Sequence, residues 1–218
     1  MYPPHPLYPS VVAVSVSLSS LLALDGAPSI TENTYEPTHA PEQAPAVVPT
    51  LTPPPGISPA SKPDVIYLPT KADVVSRMLG MAQVRPGDIV YDLGSGDGRI
   101  PIRAVRDFAA SFGVGIEIDA KLVAESRQNA VRAGVGDRVD FVNQSFFTAD
   151  FSRATVVTLY LIPEVNQKLA PLLRKLKPGT RIVSHDYGIS PDWPPDEVQR
   201  IRDNAILLFT VRQGGSAR

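Results

Sequence analysis

A glycine-rich segment between a strand pattern and a helix pattern constrains the fold of this chain more than any other feature. The apolar run Ile89–Tyr91 predicts a strand, Asp92–Arg99 reads Asp-Leu-Gly-Ser-Gly-Asp-Gly-Arg, and Ile100–Ala110 has the apolar spacing of a helix. A strand, a tight glycine turn and a helix N-terminus bring a nucleotide-like ligand close to backbone amides. Glycine suits such a turn because it adopts positive φ and has no Cβ to collide with the ligand. The segment therefore predicts a cofactor-binding loop.

The spacing and charge of this loop argue against a dinucleotide. The glycines follow the pattern G-x-G-x-G, and Arg99 stands where the pattern G-x-G-x-x-G requires its third glycine. Asp92, at the start of the loop, would repel a pyrophosphate but suits a positively charged group, such as the amino group or sulfonium of S-adenosylmethionine. We therefore predict that the loop binds S-adenosylmethionine. The predicted contacts from the loop are Asp92, Gly94, Ser95, Gly96 and Gly98.

Strand and helix patterns alternate along the second half of the chain. Helices are predicted at Lys71–Met81, Ile100–Ala110, Ala120–Ala133 and Pro163–Lys175, and further strands at Gly113–Ile118, Arg138–Asn143, Thr155–Leu161 and Arg181–Ser184. Such alternation implies right-handed βαβ units and an α/β fold with a doubly wound, mostly parallel, Rossmann-like sheet. Glu197–Arg202 and Ala205–Val211 then predict a C-terminal antiparallel hairpin at the edge of that sheet.

These segments resemble a known family. Asp92–Arg99, followed by Gly-Ile-Glu-Ile-Asp at residues 115–119, is similar to motifs I and II of the class I methyltransferases. The flanking runs Tyr67–Thr70 and Pro191–Asp196 are similar to a mitochondrial and bacterial family of protein-lysine methyltransferases that modifies the ATP synthase c-subunit and the adenine nucleotide translocase. The resemblance covers about Asp64–Arg212. It implies S-adenosylmethionine as cofactor and a protein lysine as methyl acceptor.

Several residues outside the loop are predicted to hold the cofactor. Glu117, at the end of the second strand, has the position of a carboxylate that accepts hydrogen bonds from both ribose hydroxyls of the cofactor. The alternative is that Glu117 is a surface acid. Ser145 stands where the family has an acid that meets the adenine amino group, and Phe146 is placed to stack on the base. Tyr67 and Thr70 resemble family positions that close over the methionine end. Their alternatives are a packed aromatic and, for Thr70, the N-cap of the first helix.

The acceptor is expected above the carboxyl ends of strands four and five. Those ends carry Tyr160, His185 and Asp186, which are the predicted catalytic residues. A lysine must lose its proton before it can accept a methyl group; an aromatic pocket would lower its pKa, and His185 or Asp186 could relay the proton. The alternative is that His185 and Asp186 only form a turn. Trp193 is interpreted either as an aromatic wall of the acceptor pocket or as an anchor for its loop.

Composition and charge narrow the function classes. All 21 Lys and Arg residues follow Ser61, together with 18 of the 22 acids, and this small basic excess does not indicate a nucleic-acid partner. The motif [DN]-P-P-[YF] of enzymes that methylate base amino groups is replaced by Thr158–Leu161, which argues against a DNA methyltransferase. The chain has no cysteine and three histidines, two of them before residue 40, so no metal site is predicted. The oligomeric state is left open.

The N-terminal region has a different composition. Residues 1–62 are predicted to be a disordered extension, because 14 of the 23 prolines lie between Pro3 and Pro63. Residues 63–213 form the predicted methyltransferase domain, and 214–218 a tail. The apolar run Val11–Leu24 is short for a membrane span, which needs ~20 residues, and lacks the cationic leader of a signal peptide. We expect a cytoplasmic protein; membrane association through Val11–Leu24 and a signal-peptide role both stay open.

Two other functions are compatible with the same cofactor loop. A small-molecule methyltransferase would share the cofactor half but would need a lid over its acceptor. A non-catalytic module that binds S-adenosylmethionine would need no acceptor site. The sequence favours the protein-lysine methyltransferase through the family resemblance alone.

Overall fold

The computed structural model describes residues 68–213. The helices and strands in chain order are α1 (Ala72–Met81), β1 (Ile89–Leu93), α2 (Arg99–Asp107), β2 (Phe112–Glu117), α3 (Ala120–Arg132), β3 (Val139–Asn143), β4 (Val156–Leu159), α4 (Pro163–Leu173), β5 (Arg181–His185), β6 (Glu197–Ile201) and β7 (Asn204–Thr210). Each predicted element after residue 70 is present, with ends that differ by a few residues. Tyr67, the predicted extension with Val11–Leu24, and the predicted tail lie outside the described residues. Within residues 68–213, no helix is both long and apolar enough to cross a bilayer.

Within this range seven strands form one sheet in the order β3-β2-β1-β4-β5-β7-β6. The first five strands of that order are parallel, and β7 pairs antiparallel with both β5 and β6. The predicted fold class, including the C-terminal hairpin, is therefore confirmed. The strand order reverses between β1 and β4, and ligands of such sheets bind outside the carboxyl ends of the strands at this point.

The core consists of two apolar layers, one on each face of the sheet. Helices α1, α2 and α3 cover one face, where Met78, Val105 and Val90 belong to one buried apolar cluster. Helix α4 covers the other, with Leu169 and Leu173 among the buried residues that include Leu159. Strands β1 and β4 are almost entirely buried because helices cover both of their faces, as expected for central parallel strands. This rigid centre carries the residues at the carboxyl edge.

A loop without a helix connects β5 to β6. Trp193 is buried in this loop, with its ring centroid 6.0 Å from that of Phe209 and the guanidinium of Arg174 4.7 Å above its ring. Arg174 also binds Asp192 of the same loop. Of the two roles considered for Trp193, the structure supports the loop anchor.

Candidate cofactor and acceptor site

A cavity of about 340 Å³ opens at the carboxyl edge of the sheet, where the strand order reverses. Five parts of the chain form its wall: the segment before α1, the glycine loop with the start of α2, the end of β2 with the start of α3, the residues after β3, and the residues after β4. The predicted site residues on this wall are Thr70, Asp92, Gly94, Ser95, Glu117, Phe146 and Tyr160. The structure thus brings together most of the predicted cofactor residues and one predicted catalytic residue.

The glycine loop is fixed to β2 through its backbone. The amides of Gly94 and Ser95 both donate to the carbonyl of Ile116, at 2.8 and 3.1 Å. Gly94 and Ser95 line the cavity, and the buried Ser95 hydroxyl has no hydrogen-bond partner among the described residues. Gly96 and Gly98 do not line the cavity. The Gly96 amide instead donates to Glu117. Gly96 and Gly98 therefore contribute to the shape of the loop without lining the cavity.

Gly98 is required by packing as well as by its backbone. Its φ is +80°, and a Cβ there would lie 2.6 Å from Cε1 of Phe141 and 2.8 Å from Cβ of Ser126. Phe141 belongs to β3 and Ser126 to α3, so the missing side chain of Gly98 lets the loop pack closely on both elements. Gly98 therefore acts through the packing of the loop, and its predicted direct contact with the cofactor finds no support in its position.

We expect Gly98→Ala to lower the free energy of unfolding by ~2–5 kcal/mol, because backbone strain and overpacking add. Gly134→Ala is the matched control: Gly134 has φ +71°, but nothing lies within 4 Å of the place that an added methyl group would take, so its loss should be about 1–2 kcal/mol. Urea unfolding of both variants measures the difference. Equal losses would mean that the loop moves to make room for the methyl group.

Glu117 is buried at the end of β2 and lines the cavity. Its Oε2 accepts from the Gly96 amide at 2.9 Å, and its Oε1 accepts from the amides of Ile118 at 2.8 Å and Asp119 at 2.9 Å. A carboxylate can accept about four hydrogen bonds, so capacity remains for a ligand hydroxyl. Glu117 thus joins the glycine loop to the start of α3 and turns toward the cavity. Asp119 caps α3 by accepting from the Lys121 amide.

Asp92 is a buried carboxylate on the cavity wall. Its Oδ1 accepts from the Thr158 hydroxyl at 2.6 Å, across the β1–β4 pairing. Burial raises the pKa of Asp92 to about 7; the negative charges of Glu117 and Asp97 add to this rise, and the hydrogen bond from Thr158 opposes it. A bound cation would favour the ionised form. The acidic wall therefore fits a positively charged ligand better than a pyrophosphate.

Of the two predicted cofactor residues after β3, Ser145 and Phe146, only Phe146 lines the cavity. Phe146 lines the cavity and offers an apolar face. Ser145 is absent from the wall; its carbonyl accepts from the amides of Thr148 and Ala149, and its hydroxyl accepts from the Phe147 amide at 3.3 Å. The predicted contact of Ser145 with adenine is therefore not supported by its position, because Ser145 begins a turn.

Thr70 does not cap α1. Lys71 occupies the N-cap position, without a side-chain cap, so the helix-cap alternative is wrong. Thr70 is instead buried on the cavity wall, with its hydroxyl oxygen 3.5 Å from Nδ1 of His185. Its carbonyl accepts from Nη1 of Arg99 at 2.9 Å. Thr70 therefore connects the segment before α1 to the glycine loop and to β5.

Tyr160 and His185 stack at the acceptor side of the cavity. Their ring centroids are 3.9 Å apart, with 32° between the ring planes. Tyr160 is half-buried and lines the cavity, whereas His185 is buried behind it and is not on the wall. Burial raises the pKa of Tyr160, and the charges of Asp186 and Tyr187 act in the same direction. Burial lowers the pKa of His185, against the charge of Asp186, so both rings are neutral at neutral pH.

The carboxylate of Asp186 accepts hydrogen bonds from the β6–β7 hairpin. It has φ +63°, and its Oδ1 accepts from the Ala205 amide at 2.8 Å while Oδ2 accepts from the Asn204 side chain at 3.3 Å. Its Oδ2 is 3.4 Å from Nε2 of His185, but without hydrogen-bond geometry. His185 is the last residue of β5, so only Asp186 begins a turn. Neither residue faces the cavity, so their position does not support a direct proton relay.

Two contacts of the site were not predicted from the sequence. Thr158 donates to Asp92, and its signal was a hydroxyl residue inside an otherwise apolar buried strand. Arg99 pairs with Asp97, two positions earlier, and also donates to the Thr70 carbonyl, a contact that only the fold could bring together. Among the described residues, no group of three or more His, Asp or Glu side chains could hold a metal ion.

Comparison with known families adds independent evidence. The model of the ANTKMT methyltransferase domain matches residues 92–197. A protein-lysine N-methyltransferase of Saccharolobus islandicus (strain REY15A) is 49% identical over 154 residues, which cover 68% of this chain and 95% of that protein. An adenine nucleotide translocase lysine N-methyltransferase of Mus musculus is 33% identical over 152 residues, 69% of this chain and 65% of that protein. A lysine N-methyltransferase of Xenopus laevis, named for the ATP synthase c-subunit, is 34% identical over 134 residues, 61% of this chain and 57% of that protein.

A solved structure gives a similar result. An RNA methyltransferase from Salinibacter ruber, in complex with S-adenosyl-L-homocysteine, is 51% identical, with a TM-score of 0.65; the match covers 67% of this chain and 95% of that chain. The chain thus spans nearly all of the archaeal and Salinibacter proteins but less than two thirds of the two animal relatives. These matches confirm the predicted family resemblance and the predicted cofactor.

Proposed function

Because this chain belongs to the family of class I S-adenosylmethionine-dependent methyltransferases that includes protein-lysine N-methyltransferases, we propose that it methylates the side-chain amino group of a protein lysine. The observation that carries the proposal is a single cavity with Asp92 and Glu117 on one side and the neutral phenol of Tyr160 on the other. The carboxylates suit the cofactor, and the aromatic end suits an uncharged amine.

The cavity wall fits S-adenosylmethionine. Glu117 would accept from the ribose hydroxyls, Phe146 would contact the adenine, and Asp92 would face a positive charge of the methionine part. The Ser95 hydroxyl, without a partner among the described residues, is available to the ligand. When bound, S-adenosylmethionine supplies an electrophilic methyl group on a positively charged sulfur.

The acceptor side would act mainly by positioning. An amine must be neutral and aligned with the methyl group, and alignment is worth up to ~7–11 kcal/mol in intramolecular reactions. The Tyr160 oxygen can hold the amine by a hydrogen bond, and its half-buried surroundings would favour the neutral amine. His185 fixes the Tyr160 ring by stacking, and Asp186 fixes the end of β5, so we assign both a positioning role.

RNA is the second acceptor to consider, because the Salinibacter protein carries that name. Contacts with RNA phosphates require Lys or Arg side chains near the acceptor. Near Tyr160, Leu161 of the cavity wall and the adjoining Ile162 and Tyr187 are uncharged, and Arg99 of the wall is paired with Asp97. This set of side chains favours a protein acceptor over RNA.

The test is to incubate the purified protein with radiolabelled S-adenosylmethionine and a cell lysate. We expect label in protein bands that resist ribonuclease, and methylated lysine after acid hydrolysis. Tyr160→Phe keeps the ring and its stacking partner, so it should retain cofactor binding while the transfer rate falls. Label that ribonuclease removes would support RNA as the acceptor. Label in the small-molecule fraction would support a metabolite as the acceptor, and the absence of any transfer would support a non-catalytic binding module.

A further inference from the structure

Three exposed apolar side chains belong to connections that line the cavity or adjoin its wall. Leu68 is 63% exposed, Ile162 39% and Tyr187 42%. They come from three different connections: the segment before α1, the junction of β4 with α4, and the turn after β5. Isolated exposed apolar residues are ordinary, whereas a group of them beside an opening indicates an interaction surface.

These side chains lie next to residues of the cavity wall. Leu68 itself lines the cavity, and Ile162 directly follows Leu161, which also lines it. Tyr187 follows His185 by two positions, and the His185 ring stacks on Tyr160, which lines the cavity. The group Leu68, Ile162 and Tyr187, here called the acceptor rim, is therefore continuous with the site of methyl transfer.

The backbone of the rim is held in place. The carbonyl of Ile162 accepts from the amides of Val165 and Asn166 at the start of α4, both at 3.1 Å. The Tyr187 amide donates to the His185 carbonyl at 2.8 Å, and the Tyr187 carbonyl accepts from the Ser184 hydroxyl at 2.6 Å. Because the backbone of Ile162 and Tyr187 is already held, a partner that covers these side chains has less chain to order, which favours binding.

Charged side chains of both signs lie near the rim: exposed Lys71 follows Leu68 by three positions, and acids lie beside Tyr187 and Ile162. Asp186, which precedes Tyr187, has its carboxylate engaged by Ala205 and Asn204. Glu164, exposed in the first turn of α4, adds one negative charge beside Ile162. An ammonium group approaching the cavity would be attracted to this acid, while the rim itself would bind apolar side chains.

We propose that the acceptor rim selects lysines flanked by bulky apolar residues, by binding those flanking side chains while the lysine enters the cavity. The inference rests on the proposed lysine methylation. Covering Ile162 and Tyr187 removes apolar surface from water, which is worth ~25 cal/mol per Å². It also excludes water from the amine, which lowers the pKa of the lysine and favours its reactive form.

The experiment compares two peptides that share a central lysine, one with leucine and isoleucine on both sides and one with serine and asparagine. We expect kcat/KM to be about tenfold or more higher for the apolar peptide. Ile162→Ser and Tyr187→Ser should each raise the KM of the apolar peptide several-fold and leave the affinity for S-adenosylmethionine unchanged. Val131→Ser is the matched control, because Val131 is 72% exposed on α3, away from the rim.

Binding of fluorescent peptides, measured by anisotropy, keeps the test independent of methylation. Tighter binding of the apolar peptide, weakened by Ile162→Ser and Tyr187→Ser but not by Val131→Ser, supports the rim even if no methyl group is transferred. Equal binding of both peptides, or equal loss in the Val131 variant, overturns the rim. If both peptides are methylated equally well, the rim is wrong while the proposed function stands.

Discussion

Replacing Glu117 with alanine is expected to weaken S-adenosylmethionine binding by ~100-fold or more while the domain stays folded. The variant has no carboxylate to accept from the ribose hydroxyls, and hydrogen bonds to a charged group contribute ~1.5–3 kcal/mol each. The amides of Gly96, Ile118 and Asp119, which donate to Glu117 in the wild type, would also lose their acceptor. The glycine loop would then lose its side-chain link to Glu117 and keep only the backbone bonds of Gly94 and Ser95 to Ile116, so the remaining cofactor contacts would be weakened too.

Isothermal titration calorimetry measures this loss, and thermal unfolding checks the fold. We expect the melting temperature to fall by several degrees, since three backbone donors lose an acceptor. Glu125→Ala is the matched control because Glu125 is an exposed acid on α3. Unchanged cofactor affinity in Glu117→Ala would remove Glu117 from the site.

Replacing Asp92 with asparagine should have opposite effects on stability and on cofactor binding. At pH 8 we expect the variant to be more stable than the wild type by a few kcal/mol, because a buried charge is removed. At the same pH we expect its affinity for S-adenosylmethionine to fall ~10–100-fold, because the ligand's positive charge loses its partner. Asparagine keeps an oxygen that can accept from Thr158, so packing should change little.

The sign of the pH dependence follows from the raised pKa. In the unfolded chain Asp92 ionises near pH 4, while in the folded protein its pKa is raised to about 7. The folded state therefore binds more protons between these values, and the stability of the wild type falls as pH rises through that window. The difference between wild type and Asp92→Asn should be small at pH 4 and complete above pH 7.

Urea unfolding and calorimetric titration at pH 5, 6, 7 and 8 measure both effects. Cofactor affinity of the wild type should rise about tenfold between pH 6 and 8, as the ionised fraction of Asp92 rises. Thr158→Val removes a hydrogen bond that lowers the pKa of Asp92, so it should move this rise to higher pH. Equal affinities of wild type and Asp92→Asn at pH 8 would show that Asp92 does not face a positive charge of the cofactor.

The cofactor half of the site could be predicted because it depends on local backbone geometry. A strand, a G-x-G-x-G turn and a helix specify where Gly94, Ser95 and Glu117 lie relative to each other. The order of strands and helices similarly specified the sheet, since connection rules leave few alternatives. Asp119 and Gly134 were predictable as helix ends for the same local reason.

The acceptor half could not be predicted to the same degree because it depends on which way side chains turn. His185 and Asp186 follow each other in sequence, yet His185 packs under Tyr160 and Asp186 turns to the hairpin. Thr70 precedes a helix and is a residue type common at helix N-caps. In the structure its hydroxyl instead lies beside His185, which is 115 positions away in the sequence. Ser145 stands where the family has an acid, but in the structure its hydroxyl accepts from the Phe147 amide within a turn.

The contacts of Thr70 with Arg99 and His185 hold the first described residues of the domain at the cavity, while separate bonds hold its last strand at the other edge of the sheet. Leu68 stands at the cavity opening, whereas Val211 is bonded to Thr180 and Gly179 at the opposite, amino edge of β5. A fluorescent label or affinity handle joined just before Leu68 would therefore crowd incoming acceptors. The same handle fused beyond Val211 would leave the entrance clear, which makes that end the better choice for immobilising the enzyme.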